Sequence, residues 1–131
     1  MSEQEVLVSE EELHDIWLFL NNPNNRSSWF KLKYLDVYMR NSRRDINDSP
    51  TFVQHIDIAD ITVVPHMRQV GVWTAFREGI EQFAYRLDRP VYIENVLNRT
   101  LRESLLRHGY KEAHESAAEV LCFRKILNAR K

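Results

Sequence analysis

The sequence predicts one domain of the α/β or α+β class, built around a single sheet. Segments with apolar residues at helical spacing alternate with segments rich in β-branched residues, and this alternation favours helices layered on a sheet. The length of 131 residues allows one hydrophobic core rather than two. Apolar residues make up 44% of the chain and charged residues 28%, as in ordinary globular domains.

The first fifty residues are predicted to be mainly helical. Residues 5–8 could form a short first strand, and Ser9 with Glu12 makes a capping box that begins a helix. This helix is expected to end at the Asn-rich run 21–25. Ser27 or Ser28 is predicted to begin a second helix, whose apolar side would consist of Trp29, Leu32, Leu35, Tyr38 and Met39.

The remainder of the chain alternates between strands and helices. Residues 51–64 contain no glycine or proline and predict one long strand, or two joined at a bulge. A helix is predicted after Gly71, and it must end before Pro90 because proline cannot continue it. A strand at 91–95, a helix from near Asn98 to Gly109, and strands around 110–114 and 119–126 complete the prediction.

Charge and cysteine content exclude several classes of protein. The net charge is −1, which gives the whole chain no bias toward nucleic acid or membranes. Residues 3–15 are acidic and residues 26–44 basic, which indicates two solvated helix faces of opposite sign or a basic face that contacts an acidic partner. Cys122 is the sole cysteine, so no internal disulfide can form, and the histidines lack metal-ligand spacing. We expect a cytoplasmic protein without a membrane span.

The segment from Ile56 to Trp73 combines a strand, a glycine-bearing turn and the start of a helix. The first turn of a helix presents unpaired N–H groups at the positive end of the helix dipole. A glycine there allows a diphosphate to approach the backbone closely. This order therefore predicts an anion-binding cradle.

Two blocks resemble the GCN5-related N-acetyltransferase (GNAT) family over residues 56–126. The run Arg68-Gln-Val-Gly71-Val-Trp73 matches the family's pyrophosphate motif, except that Trp73 replaces a small residue. Asn98 followed by Gly109-Tyr110 matches a second family block. The resemblance implies a mixed central sheet with helices on both faces. It also implies a single domain spanning 1–131, with a helical acceptor-side half at 1–50 and an acetyl-CoA-binding half at 51–131.

The same resemblance implies that the protein is an N-acetyltransferase that uses acetyl-CoA and a primary amine of a protein or small molecule. The strand amides of Val63 and Val64, at a bulge, would polarise the thioester carbonyl, and Asn98 would contact the pantetheine arm. The phosphates would lie on the turn and the first helical residues: Arg68, Gln69, Val70, Gly71, Val72, Trp73 and Thr74.

Three residues are candidates for the base that deprotonates the amine. His55 and Asp57 alternate onto one face of the strand at 51–64, and Glu94 lies on the following strand. Each could instead be a solvated or hydrogen-bonded strand residue.

Two departures from the family pattern bear on activity. Leu105 occupies the position of the family's tyrosine acid, and the usual second hairpin is predicted to be missing. An exposed edge of the central strand would then favour a homodimer contact. The departures also support an alternative, a catalytically inactive GNAT-fold binding or structural module like those encoded by some phages. A third hypothesis places nucleic acid on the basic segment 26–44, but its aromatic residues are better explained as core.

Overall fold

The computed structural model describes residues 6–22, 24–45, 52–68, 70–94, 96, 99–113 and 122–126. The helices are α1 (Glu10–Leu20), α2 (Val72–Leu87) and α3 (Arg99–Arg107), and a 3₁₀ turn covers Pro65–Met67. The strands are β1 (Ser27–Lys31), β2 (Leu35–Asp45), β3 (Phe52–Val63), β4 (Val91–Ile93), β5 (Lys111–Ala113) and β6 (Cys122–Lys125).

The strands form one six-stranded sheet in the order β1-β2-β3-β4-β6-β5. β3 and β4 are parallel, and every other neighbouring pair is antiparallel. The predicted α+β class with a mixed central sheet is confirmed.

The hydrophobic core lies between one face of the sheet and the helices. Ile56 and Ile58 of β3 are buried in the same apolar cluster as Ile16 of α1, Phe76 of α2 and Leu105 of α3. We call this the helix face. α2 connects β3 to β4, and α3 connects β4 to β5, so both connections move in the same direction along the strand order. Right-handed connections that move in the same direction place both helices on the same side of the sheet. The described helices therefore pack on one face, which corrects the expectation of helices on both.

The opposite face of the sheet is polar where β2, β3 and β4 meet. It carries His55 and Asp57, which alternate with Ile56 and Ile58 along β3. Its described apolar cluster is small and consists of strand residues: Tyr92, Ala113 and Cys122. We call this the charged face.

Residues 27–45 form a β-hairpin. The prediction of a second helix is therefore wrong, and so is the prediction that the second hairpin is missing. β1 pairs with β2, and β2 pairs with β3 over the whole length from Leu35 to Asp45. Leu35, Val37 and Met39 are all fully buried, which is the period of two of a strand with one face in the core. The edge of β3 that was expected to be open for a dimer contact is therefore covered by β2. Residues 1–50, which were expected to be a helical half, contain one described helix and this hairpin.

The capping box predicted at α1 is confirmed. The Ser9 amide donates to Glu12 Oε1 at 2.9 Å, and the Glu12 amide donates to Ser9 Oγ at 3.1 Å. Residues 6–8, expected as a first strand, have no strand structure. Gly109 ends α3 in the left-handed region with φ 88°, as its place in the sequence predicts. Among the described residues, no helix is both long and apolar enough to cross a bilayer.

Candidate functional site

The N-terminus of α2 has the geometry of an anion cradle. Gly71 occupies the N-cap position with φ 95°, no described side chain caps the helix, and its first turn lacks acidic residues. The first bond of the helix runs from the Ala75 amide to the Gly71 carbonyl at 2.9 Å. The amides of Val72, Trp73 and Thr74 precede that bond and so have no acceptor within the helix. An anion at this point would receive their hydrogen bonds and the positive end of the helix dipole.

The turn that leads into the cradle brings a guanidinium next to the end of β3. Arg68 is exposed, and its Nε donates to the Val63 carbonyl at 3.3 Å. Val70 is 52% exposed, and Gln69 lies outside the described residues. A Cβ on Gly71 would meet Leu7 Cδ1 at an ordinary 3.6 Å, so the positive φ rather than lack of space requires glycine here.

Trp73, the departure from the family motif, packs beneath the cradle. Its ring lies 6.1 Å from that of Phe76, centroid to centroid. The indole Nε1 is buried and has no acceptor among the described residues. A buried donor without a partner costs free energy. The free amides of the first helical turn, rather than the indole, are the groups of the cradle that fit a phosphate.

β3 and β4 diverge just before the cradle. They pair only from Ile56 to Ile58, and the Glu94 amide closes the pairing on the Ile58 carbonyl at 3.0 Å. Met39 of β2 opposes Ile58 while Tyr38 opposes Asp60, so Ala59 is the extra residue of a bulge. Beyond this bulge β3 pairs with β2 and leaves an opening toward β4. We call this opening the fork. The bulge expected near Val63 and Val64 is therefore at Ala59.

The hydrogen bonds of β3 decide which amides face the fork. The Val64 amide donates to the Tyr34 carbonyl at 2.8 Å, so it is not available to a ligand. Amides alternate in direction along a strand that pairs on one side. The N–H groups of Ile61 and Val63 therefore point away from β2 and into the fork. Of the two amides predicted to polarise a thioester, Val63 has the suitable direction.

The three candidate bases lie on the charged face, and two arginines that the sequence did not single out hold Asp57 and Glu94. Arg44 contacts Asp57 through Nη2–Oδ2 at 2.6 Å and Nε–Oδ1 at 3.3 Å. Its Nη2 also donates to Glu94 Oε1 at 2.6 Å, and Arg40 Nη1 lies 3.2 Å from both Glu94 oxygens. We call Arg40, Arg44, Asp57 and Glu94 the arginine cluster. Strand alternation along 40–44 places Arg40 and Arg44 on one face of β2. Only the register of β2 on β3 shows that this is the face of His55 and Asp57.

The candidate bases differ in access to solvent. His55 and Asp57 are fully buried, and His55 Nδ1 lies 2.8 Å from the Val53 carbonyl. The Glu94 side chain keeps 20% exposure, at the closed end of the fork. Glu94 is therefore the candidate base that a bound amine could reach most directly.

Arg44 remains a cation within this cluster. Burial by itself would lower the pKa of Arg44, but the hydrogen bond and charge of Asp57 raise it above its usual value. The guanidinium also lies over the Tyr92 ring, 3.9 Å from its centroid.

The second family block is only partly visible. Asn98 lies outside the described residues. Leu105, at the family's tyrosine position, is fully buried in the core. Tyr110 donates to Glu81 Oε2 at 2.9 Å, and burial together with the Glu81 charge raises the pKa of its phenol. Its hydroxyl is thus engaged with α2 rather than with the fork. Within the described ranges, no three metal-binding side chains converge on a common point.

Comparison with known proteins gives a likeness in structure alone. No protein-family model matches the sequence, and no curated protein matches it. Solved structures do match. Chaetomium thermophilum Naa20 with a bisubstrate analogue has a TM-score of 0.55 at 16% identity, over 75% of this chain and 61% of that one. The AtaT Y144F toxin bound to the C-terminus of antitoxin AtaR has a TM-score of 0.54 at 8% identity, over 70% and 58%.

A third match, the KacTA–DNA complex, has a TM-score of 0.53 at 10% identity, over 72% of this chain and 59% of that chain. The chain thus spans about three fifths of the length of each of these proteins. The chain has the GNAT fold, as the sequence predicts.

Proposed function

We propose that the protein is an acetyl-CoA-dependent N-acetyltransferase that acts on a primary amine. The observation that carries the proposal is the uncapped N-terminus of α2 at the open end of the fork. An anion cradle beside a cleft with inward-facing strand amides suits a ligand with a phosphate end and an extended amide-bearing arm. The likeness to Naa20, which was solved with a bisubstrate analogue, supports the same assignment.

Different residues would bind the phosphate end and the extended arm of such a ligand. Arg68 and the amides from Val70 to Thr74, with Gln69, would hold the phosphates. The Val63 amide would bind in the fork, and Asn98 would contact the arm. Acetyl-CoA would supply an acetyl group already activated as a thioester.

Glu94 is the residue that we assign to proton removal from the amine. A carboxylate oxygen of Glu94 would accept the ammonium proton at the closed end of the fork. Arg40 and Arg44 hold this carboxylate in place, so they act as positioning residues. Asp57 fixes Arg44, and His55, the third candidate, packs against Tyr92 at 6.2 Å between ring centroids.

Calorimetric titration of two Gly71 variants with acetyl-CoA tests the cradle. Gly71→Ala and Gly71→Glu should carry similar backbone strain, because each places a Cβ at a position where φ is 95°. Only the glutamate places a negative charge beside the phosphates. We expect Gly71→Ala to retain binding within about tenfold and Gly71→Glu to lose it, since one charge at about 4 Å is worth several kcal/mol at an effective dielectric constant of about 20. Equal affinities would contradict the assignment.

The alternative is a GNAT-fold module that binds its ligand without turning it over. It is favoured by Leu105 in place of the tyrosine acid and by the arginines that contact Asp57 and Glu94. Binding of acetyl-CoA without thiol release across a panel of peptide N-termini, lysine peptides and small amines would support this module. Thiol release with any of these amines would exclude it.

A further inference from the structure

A guanidinium and a carboxylate lie side by side on the charged face, at the closed end of the fork. Arg40 Nη1 is 3.2 Å from both oxygens of Glu94, and the two side chains keep 43% and 20% exposure. The neighbouring pair of Arg44 and Asp57 is better buried, with 23% and 0%. The arginine cluster therefore presents one positive and one negative group to solvent. We call Arg40 and Glu94 the accessible pair.

The accessible pair can form further hydrogen bonds. A guanidinium has donors on each of its nitrogens, and the contact with Glu94 uses those on Nη1 of Arg40. A carboxylate accepts at about four lone-pair positions. Glu94 receives three contacts, two from Arg40 and one from Arg44. A ligand that carries both an ammonium and a carboxylate could therefore donate to Glu94 and accept from Arg40 at the same time.

The charges around the accessible pair are of both signs. Strand alternation places Lys31, Asp36 and Asp60 on the same face of the sheet as Arg40. Lys31 opposes Asp36 across β1 and β2, and Asp60 opposes Tyr38 across β2 and β3. A ligand with charges of one sign would meet like charges on this surface, which costs free energy. A small zwitterion, by contrast, matches the alternation of sign.

An aromatic surface borders the accessible pair. The Arg40 guanidinium lies 5.2 Å from the Tyr38 ring centroid, and the Tyr38 ring lies 5.1 Å from that of Trp29, at an interplanar angle of 40°. Trp29 is 53% exposed, although the sequence suggested that it belonged to the core. The adjacent Phe30 is the residue that packs inward, against Phe19 at 5.4 Å. A ligand ring could pack on this surface while its charged groups contact the accessible pair.

We propose that the acceptor is an α-amino acid with an aromatic side chain. Its amino group would donate to Glu94, its carboxylate would accept from Arg40, and its ring would pack against Trp29. The inference rests on the proposed function, in which Glu94 takes the ammonium proton. The N–C bond then forms, the C–S bond breaks, and a second nitrogen proton passes to the departing thiolate. A protein N-terminus or a lysine side chain has no carboxylate next to its amine, so the pair distinguishes among the acceptors.

Binding of phenylalanine, phenylalanine amide and phenethylamine to the full chain tests the proposal. Each amine is titrated by saturation-transfer NMR, without CoA and with CoA, which has no acetyl group to transfer. The amide is a weaker base than phenylalanine and phenethylamine is a stronger one, so amine basicity cannot explain a preference over both. We expect phenylalanine to bind at least about tenfold more tightly than either, because only phenylalanine offers a charged acceptor to Arg40. Alanine should bind more weakly than phenylalanine, because it lacks the ring.

Two pairs of variants assign the preference to residues. Arg40→Gln should abolish the preference for phenylalanine over its amide, whereas Arg43→Gln should keep it, because Arg43 is exposed on the other face of β2. The ratio of the two affinities is the readout, since a role of Arg40 in holding Glu94 would change both affinities alike. Trp29→Ala should abolish the preference for phenylalanine over alanine, and Trp29→Tyr should retain most of it because a ring remains. Circular dichroism melts of each variant separate loss of binding from loss of folding.

Several results would overturn the inference. They are equal affinities for phenylalanine and its amide, a preference that survives in Arg40→Gln, equal affinities for phenylalanine and alanine, and no binding of phenylalanine at millimolar concentration. Thiol release from acetyl-CoA separates this inference from the proposed function. If the three aromatic amines are acetylated equally fast, the acetyltransferase stands and the amino acid is excluded as its preferred acceptor. If phenylalanine binds with the expected preference but acetyl-CoA does not bind, the zwitterion site stands and the proposed function fails.

Discussion

At the level of single residues, the two carboxylates of the arginine cluster differ in burial and therefore in the roles that we assign to them. Asp57 is fully buried and receives a two-point contact from Arg44, whereas Glu94 is partly exposed and shares two arginines. A buried carboxylate with a two-point arginine contact supports structure, because removing either partner leaves an unpaired charge in the interior. A carboxylate at the mouth of a cleft can exchange protons with a ligand. The two residues should therefore respond differently to loss of charge.

Glu94→Gln should reduce turnover while leaving cofactor binding intact. Loss of a general base costs about a hundredfold or more in kcat, and the cradle lies at the opposite, open end of the fork. Thiol release measured with an amine that the protein accepts, together with the acetyl-CoA Kd, checks this. Glu103→Gln is a matched control, since Glu103 is exposed on α3 and pairs with Arg99. Unchanged turnover in Glu94→Gln would remove Glu94 from the reaction.

Asp57→Asn should instead destabilise the fold by about 3 kcal/mol, because Arg44 would lose its two-point contact with a buried charge. Urea unfolding followed by tryptophan fluorescence measures the effect. Asp60→Asn provides the comparison on the same strand, because Asp60 is exposed. A loss of stability no larger than that of Asp60→Asn would contradict the structural role assigned to Asp57.

At the level of secondary-structure elements, a carboxylate at the start of α1 contacts the loop of the hairpin. Glu12 closes the capping box and also accepts the Lys33 amide at 2.7 Å. Partial burial would raise the pKa of Glu12, but the backbone amides of Ser9 and Lys33 outweigh it and lower the pKa below the usual 4.5. The folded state thus favours the ionised form. This stability is fully present above about pH 4.5 and is lost as the pH falls through the lowered pKa of the folded state.

Glu12→Gln should therefore cost about 1 kcal/mol of stability at neutral pH, because hydrogen bonds to a charged acceptor contribute about that much more than bonds to a neutral one. The glutamine can still accept a hydrogen bond but carries no charge, so its contribution should not depend on pH. Chemical unfolding at about pH 7 and about pH 3 compares the variant with the unmodified chain. The difference should shrink at the lower pH, and a difference that stays constant would show that the charge is irrelevant.

Elements whose boundaries are set by neighbouring residues could be predicted from the sequence, and elements set by distant contacts could not. The capping box, Gly71 and Gly109 act through neighbouring backbone, so the starts of α1 and α2 and the end of α3 followed from the residues themselves. The segment 27–45 was ambiguous, because its apolar residues fit a helical stripe as well as a strand. The alternation of Leu35, Val37 and Met39 was the better signal, and pairing with β3 decides the outcome.

At the level of the whole molecule, the candidate site depends on contacts between distant parts of the chain. The arginine cluster joins β2, β3 and β4 through Arg40, Arg44, Asp57 and Glu94. Neither these pairs nor the fork could be derived from local spacing, because each requires the register of three strands. The motif that matched the family, by contrast, lies in one continuous turn. The proposed cofactor end of the site could therefore be read from local sequence, whereas the proposed acceptor end could not.

Amide hydrogen exchange with and without acetyl-CoA should reveal whether cradle and fork act as one site. The amides of Val72 to Thr74 and that of Val63 have no described acceptor in the helix or in β2, so bound ligand should slow their exchange markedly. The Val64 amide already donates to Tyr34 and should change little. Protection at the start of α2 without protection of Val63 would mean that the ligand binds only through its phosphates. Slowing of all four amides, and its loss in Gly71→Glu, would show that phosphate binding and occupation of the fork belong to a single event.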